Sequence, residues 1–143
     1  MESQTTIPDA VRVKNINHIT LIVADLERSK AFYCGVLGME EVHRPAFNFP
    51  GKWFQAGPNQ IHLILEHPGS APAGCPTPLG TVSAGRATHF AFEVADATQA
   101  YDYLKSRGVH LQGEPKFRPD GYLQVFSQDP DGYTIEVYSW PPE

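Results

Sequence analysis

Hydrophobic and polar positions alternate over two short stretches, "HITLIV" from His18 and "HFAFEV" from His89, so each reads as a β-strand with distinct faces. Each stretch closes on Val-Ala-Asp and leads into apolar residues at helical spacing. Phe32, Tyr33, Val36 and Leu37 share one face behind Asp25; Ala97, Ala100, Tyr101 and Leu104 share one behind Asp96. Both aspartates are placed as N-caps, Gln99 fits a capping box with Asp96, and Gly38 and Gly108 are placed as helix stops.

Strand patterning resumes after each helix. "KWFQAG" and "QIHLILEH" flank Gly57, Pro58 and Asn59, while "YLQVFSQ" and "YTIEVYSW" flank the turn sequence Asp129, Pro130, Asp131, Gly132. One phrase is therefore written twice. His18 and His89 stand 71 positions apart, as do Asp25 and Asp96. At the two hairpins the offset has grown to 74, which sets "IHL" on "IEV" and His62 on Glu136. Each half is a βαβββ unit, spanning about residues 13–67 and 86–140 of one domain that comes after a tail over 1–12. Between them "PGSAPAGCPTPLGTVSAGR" is too rich in Pro, Gly and Ser for a strand and reads as a linker or an ordered loop over a site.

Composition narrows the function classes. A chain of 143 residues with 41% hydrophobic and 19% charged residues is large enough for one globular core. Its formal charge of −5 argues against a nucleic-acid or anionic-membrane partner, either of which needs a basic face. No apolar run approaches the roughly 18–20 residues of a membrane span, and the N-terminus lacks the pattern of a signal peptide. Cys34 and Cys75 make no disulfide framework, so the cytoplasm is the expected compartment, with Cys34 a packing residue of the first helix.

The repeat gathers four residues able to bind a metal: His18 and His62 from the first half, His89 and Glu136 from the second. His18 shares a strand face with Thr20 and Ile22, and Glu136 with Thr134 and Tyr138. Imidazole and carboxylate side chains converging on a pseudo-twofold axis make a divalent-metal set. Glu66 shares the parity of His62 and is a reserve fourth ligand. Trp53 and Phe54 read as core or pocket wall, and His43 and His67 as exposed. Arg44, Lys116 and Arg118 fall in loops, where a cation is ordinarily solvated but is also placed to bind carboxylate or phosphate. Tyr122 and Tyr138 are placed either to pack or to donate a hydrogen bond to a ligand.

The stretches "NHITLIVADLERSKAFYCGVLGME", "THFAFEV" and "DPDGYTIEVYSW" resemble the vicinal oxygen chelate superfamily. That superfamily includes glyoxalase I, methylmalonyl-CoA epimerase, extradiol dioxygenases and the fosfomycin and bleomycin resistance proteins, and the likeness runs from about Val13 to Trp140. It implies an α+β fold in which two βαβββ modules form a cupped mixed β-sheet with flanking helices. It also implies one divalent metal ion (Mn, Fe, Zn, Ni or Co) on His18, His89 and Glu136, with His62 at a fourth position that varies among members. The resemblance to glyoxalases implies Glu136 as the catalytic base, and the positions of Thr20, Lys116, Arg118, Tyr122 and Tyr138 make them the candidate substrate contacts. The expected function is a glyoxalase- or epimerase-like lyase or isomerase acting on a small molecule with oxygens on adjacent carbons, in a homodimer.

Alternatives within the resemblance are less well matched. Fosfomycin thiol transferases share His18, Thr20, His89, Glu136 and Lys116, but the serines they carry after that lysine are replaced here by Asp120 and Gln124. Extradiol dioxygenases carry Tyr where this chain has Phe126, and His110 is a doubtful acid–base residue. Bleomycin-resistance-type binding proteins have generally lost the metal positions that this chain retains.

Overall fold

The structure is a computed structural model that describes residues 7–74 and 84–141. Part of the Pro/Gly-rich connection, including Cys75, lies outside the described residues. Among those described, no helix is long and apolar enough to cross a membrane.

The first half contains β1 (His18–Val23), α1 (Leu26–Lys30), β2 (Glu40–Val42), β3 (Gly51–Ala56) and β4 (Asn59–Leu65). The second contains β5 (His89–Glu93), α2 (Ala97–Ser106), β6 (Lys116–Phe117), β7 (Leu123–Gln128) and β8 (Thr134–Ser139). Each half forms a four-stranded mixed sheet, in the orders β1-β4-β3-β2 and β5-β8-β7-β6. The first strand of each pairs parallel to the last, which the intervening helix makes possible by returning the chain to the same end.

Both helix starts match the sequence pattern. Asp25 accepts from the Arg28 amide (3.0 Å), and Asp96 accepts from the amides of Thr98 (2.9 Å) and Gln99 (3.2 Å). No returning bond from the Gln99 side chain occurs among the described residues, so half of the expected capping box is present. Gly38 (φ 77°) and Gly108 (φ 73°) take the left-handed conformation at the helix ends. The first helix departs from the expected regular form, because α1 runs on as a π-helical segment over Ala31–Val36, with the Leu37 amide reaching the Phe32 carbonyl at 2.9 Å. Within that wider turn the adjacent Phe32 and Tyr33 are both buried.

One apolar cluster serves both halves: Leu21, Val23, Tyr33, Phe54 and Leu63 from the first, Leu104, Val125, Ile135 and Val137 from the second. A polar clamp joins them. The Tyr33 hydroxyl, fully buried, donates to Asp129 at 2.6 Å; Arg28 reaches Asp131 at 2.9 Å, and the Tyr133 hydroxyl reaches the Ile22 carbonyl at 2.8 Å. Burial pushes the Asp129 carboxyl above its ordinary range, against the bonds from Tyr33 and from its own turn that pull it down. The Asp-Pro-Asp-Gly turn therefore does more than close a hairpin: it fastens the second half onto α1 and β1.

Candidate metal centre

Strand register sets the geometry of the four predicted ligands. Thr20 lies opposite His62 across the β1–β4 pair, and Ala91 lies opposite Glu136 across the β5–β8 pair. His18 and His89 each sit two residues before those positions, so the two halves hold equivalent residue pairs on one face of each sheet. Trp53 lies opposite His62, and Phe126 opposite Glu136. An aromatic residue thus flanks each pair.

In the first half three rings stack. Trp53 and His62 lie 4.0 Å apart at an interplanar angle of 3°, and His62 and His18 lie 3.9 Å apart at 15°. His18 Nδ1 donates to Asn17 Oδ1 at 2.8 Å, which leaves Nε2 as the nitrogen with a free lone pair. His62 is buried and donates from Nε2 to Gln60 Oε1 at 2.8 Å. Burial, aided by His18 and Arg44, lowers the His62 pKa to about 4, so its ring is neutral near pH 7.

The second half pairs an imidazole with a carboxylate. His89 Nδ1 donates to the Ala87 carbonyl at 2.7 Å, and Nε2 faces Glu136 Oε1 at 3.5 Å. Phe126 meets the His89 ring edge-on, with centroids 5.3 Å apart. Glu136 is buried, and its second oxygen accepts from Arg118 Nη1 at 3.0 Å. Arg118 also holds Asp120 at 2.5 Å, and its guanidinium carbon lies 5.4 Å and 5.2 Å from the ring centroids of Tyr122 and Tyr138. The Arg118 guanidinium in turn lowers the Asp120 carboxyl pKa.

Donor chemistry in both halves fits a divalent first-row cation. Two imidazoles are tied through Nδ1 so that Nε2 is presented, a third is neutral, and a carboxylate stands beside one of them. Among the described residues of one chain, however, no group of three His, Cys, Asp or Glu side chains is placed to hold a metal. The two pairs lie on separate sheets. His18 and Thr20 are exposed on the first sheet, as are Ala91 and Glu93 on the second. The outer strands β1 and β5 line a groove of about 860 Å³, with Ile16, Ile19, Phe90 and Phe92 among its walls.

The other expected site residues divide. Thr20 borders a smaller pocket beside His62; Arg118, Tyr122 and Tyr138 form one cluster around Glu136. Lys116 is exposed on β6 and paired by its backbone with Gln124, away from the four ligands' contacts. Glu66 lies just past β4, and its carboxylate accepts from the Ala73 amide. Phe54 is core, whereas Trp53 is a wall of the smaller pocket. Sequence reading missed Asn17 and Asp120, the residues that orient His18 and brace Arg118. For Asn17 the signal was adjacency to His18; Asp120 stood two positions from Arg118 and at a position noted only as a departure from the fosfomycin thiol transferases.

Comparison with known proteins agrees with this architecture. The family model described as Glyoxalase/Bleomycin resistance protein/Dioxygenase superfamily matches residues 15–137. The uncharacterized protein YaeR of Escherichia coli (strain K12) is 34% identical over 138 residues, covering 88% of this chain and 96% of that protein. A lactoylglutathione lyase of Salmonella typhimurium is 28% identical over 125 residues, covering 84% of this chain and 88% of the lyase. The crystal structure of the fosfomycin resistance protein FosX from Mesorhizobium loti superposes with a TM-score of 0.64 at 21% identity, covering 90% of this chain and 93% of that one.

Proposed function

This chain belongs to the Glyoxalase/Bleomycin resistance protein/Dioxygenase superfamily, and from that premise we propose a divalent-metal-dependent lyase or isomerase of the glyoxalase or epimerase kind. Its substrate is a small molecule carrying oxygens on adjacent carbons. His18 and His62 of one chain and His89 and Glu136 of a second chain hold the metal. The observation that carries this reading is the equivalent register of the two pairs, with the His18 and His89 rings both tied through Nδ1 to present Nε2. Two copies fit better than one because no three of these side chains converge within a chain, while His18 and Thr20 on the first sheet and Ala91 and Glu93 on the second are exposed.

When bound, the metal supplies Lewis acidity to the substrate oxygens. The chain's own residues supply the rest. Glu136 accepts the proton from the carbon beside the substrate carbonyl and returns it to the neighbouring atom. Arg118, bonded to Glu136 and packed on Tyr122 and Tyr138, fixes the direction of that carboxylate. Thr20, on the strand beside His62, contacts the substrate from the first half.

Mixing variants tests the arrangement. His18→Ala and Glu136→Ala chains are each expected to lose the divalent ion that the wild-type protein carries. After subunit exchange between them, one site per mixed dimer regains all four ligands, so roughly a quarter of the sites should refill. Full metal occupancy in Glu136→Ala protein alone would sink the ligand set. Absence of any refilling would place the site within one chain. Lactoylglutathione lyase activity, the activity named for the Salmonella relative, is the first turnover to assay, before and after chelator treatment. Turnover that survives complete metal removal would overturn the metal-dependent reading.

A further inference from the structure

Beside the His18 and His62 rings, the first sheet carries a second pocket of about 270 Å³. Phe47, Phe49 and Trp53 give it flat apolar walls, and Arg44 supplies its cation. The guanidinium carbon of Arg44 lies 4.7 Å from the Phe47 ring centroid and 5.0 Å from that of Phe49, so the aromatic rings hold the charge in place. Its Nε is sealed from solvent and has no hydrogen-bond partner among the described residues. Leaving a buried donor of a charged group unpaired is costly, and such groups are normally satisfied.

Of the other arginines, Arg12, Arg28 and Arg118 pair with carboxylates, while Arg86 and Arg107 are exposed and make no ion pair among the described residues. Arg28 is paired with Asp131, and Arg118 with Glu136 and Asp120, whereas Arg44 makes no ion pair among the described residues. The backbone also makes room for it. A Cβ at Gly51 would stand 2.8 Å from both Nε and Nη2 of Arg44 and would collide with the Leu63 carbonyl oxygen. The close approach of the Leu63 carbonyl oxygen demands glycine at the start of β3, and the guanidinium lies over the gap that this leaves. A cation fixed by two rings, over a glycine slot and without a counter-ion, is arranged to receive an anion.

We propose that Arg44 is an anion-binding residue, and that the pocket takes a ligand with a carboxylate or phosphate group on a flat apolar body. The proposal deepens the metal-site reading by naming the substrate's class, and it rests on that reading for the claim that the ligand is substrate. Anion binding itself needs only residues of the first half. The guanidinium donates to the anion's oxygens, the aromatic walls take the flat body, and the ligand's remaining end lies towards His18 and His62.

Benzoate and phenylphosphate serve as probes, with benzamide as the uncharged shape control for benzoate. Titration of metal-free full-length protein, monitored through the indole ¹⁵N–¹H signal of Trp53, which lines the pocket and is present in every variant, is expected to show saturable shifts with one or both anions. Benzoate alone identifies a carboxylate site, and phenylphosphate alone a phosphate site. Arg44→Gln should weaken the favoured anion by about tenfold or more, and Arg44→Lys, which keeps the charge without the planar fork, by a smaller factor. Unfolding curves establish that each variant is folded, and the Lys variant keeps the test open if the Gln variant is not. Benzamide binding as tightly as benzoate, no saturable binding of either anion, or full affinity in a folded Arg44 variant would overturn the proposal. Glu136→Ala protein should bind the anion like wild type; if it does so while carrying no metal, the anion site stands whatever becomes of the ligand set. An anion site that survives while Glu136→Ala retains its metal would instead remove the metal-site reading and leave Arg44 in place.

Discussion

The two halves place residues in the same register and give them different chemistry. In the first, Trp53, His62 and His18 stack as three rings without a carboxylate among them. In the second, the position of His62 is taken by Glu136, and the arrangement around it changes accordingly. A buried carboxylate needs a cation and hydrogen bonds, and Arg118 provides both, braced by Asp120 and two tyrosine rings. A buried imidazole has a cheaper solution, which is to stay neutral. The same repeat position is thus served by a neutral ring on one sheet and an ion pair on the other. One half brings imidazoles alone, and the other brings the carboxylate.

The contrast between the halves is most severely tested at the equivalent pair itself. Glu136→Gln removes the only anionic member of the proposed set and should leave no stoichiometric divalent metal. His62→Gln removes a neutral ligand and should weaken binding by at least the roughly 10–100-fold lost with an outer-shell partner of a ligand. Metal titration of both variants decides it, and equal losses would mean that the halves contribute alike.

A smaller effect is expected at the clamp that holds the halves together. Tyr33→Phe removes the hydroxyl that bonds the buried Asp129 carboxyl at 2.6 Å. It should cost about 1–3 kcal/mol in urea unfolding, with unfolding remaining a single transition because the core is shared. Two separate transitions would show that each half folds on its own, and a change below about 0.5 kcal/mol would show that the bond contributes little.

The smallest effect is a pH dependence at the same clamp. Burial raises the folded-state pKa of Asp129 above its unfolded value, so the folded protein keeps that proton to higher pH than the unfolded chain does. The protonated carboxyl therefore contributes stability that is full below the unfolded pKa and is lost as pH rises through the folded one. Asp129→Asn has no such proton. Over about pH 3 to 7, the stability of wild type relative to this variant should decline as pH rises. A relative stability that instead climbs with pH would mean that hydrogen bonds from Tyr33 and the turn amides outweigh burial.

Much of the molecule could be read from periodicity alone. Alternation at His18 and His89 marked the first strands, helical spacing marked the segments after them, and Asp25 and Asp96 marked the boundaries, where the structure has N-caps. These features depend on neighbours in the chain, so local patterning suffices. The repeat offset also identified His62 with Glu136, and the strand registers place them equivalently. That inference worked because a shared register is preserved by backbone pairing even where side-chain chemistry has diverged.

Tertiary structure decided what those residues meet. Nothing in the spacing of Trp53, His62 and His18 says that their rings stack, because three different strands deliver them. Arg118 looked like a loop cation and proved to be the partner of Glu136; Asp129 and Asp131 looked like turn residues and proved to bind α1 and the end of β1. The expected convergence of four ligands in one cup was likewise a matter of how the sheets are arranged, and within one chain no three of the four come together. Periodicity fixes which face of a strand a residue occupies. Which other face it meets depends on packing between segments distant in sequence, and a local pattern carries no term for that.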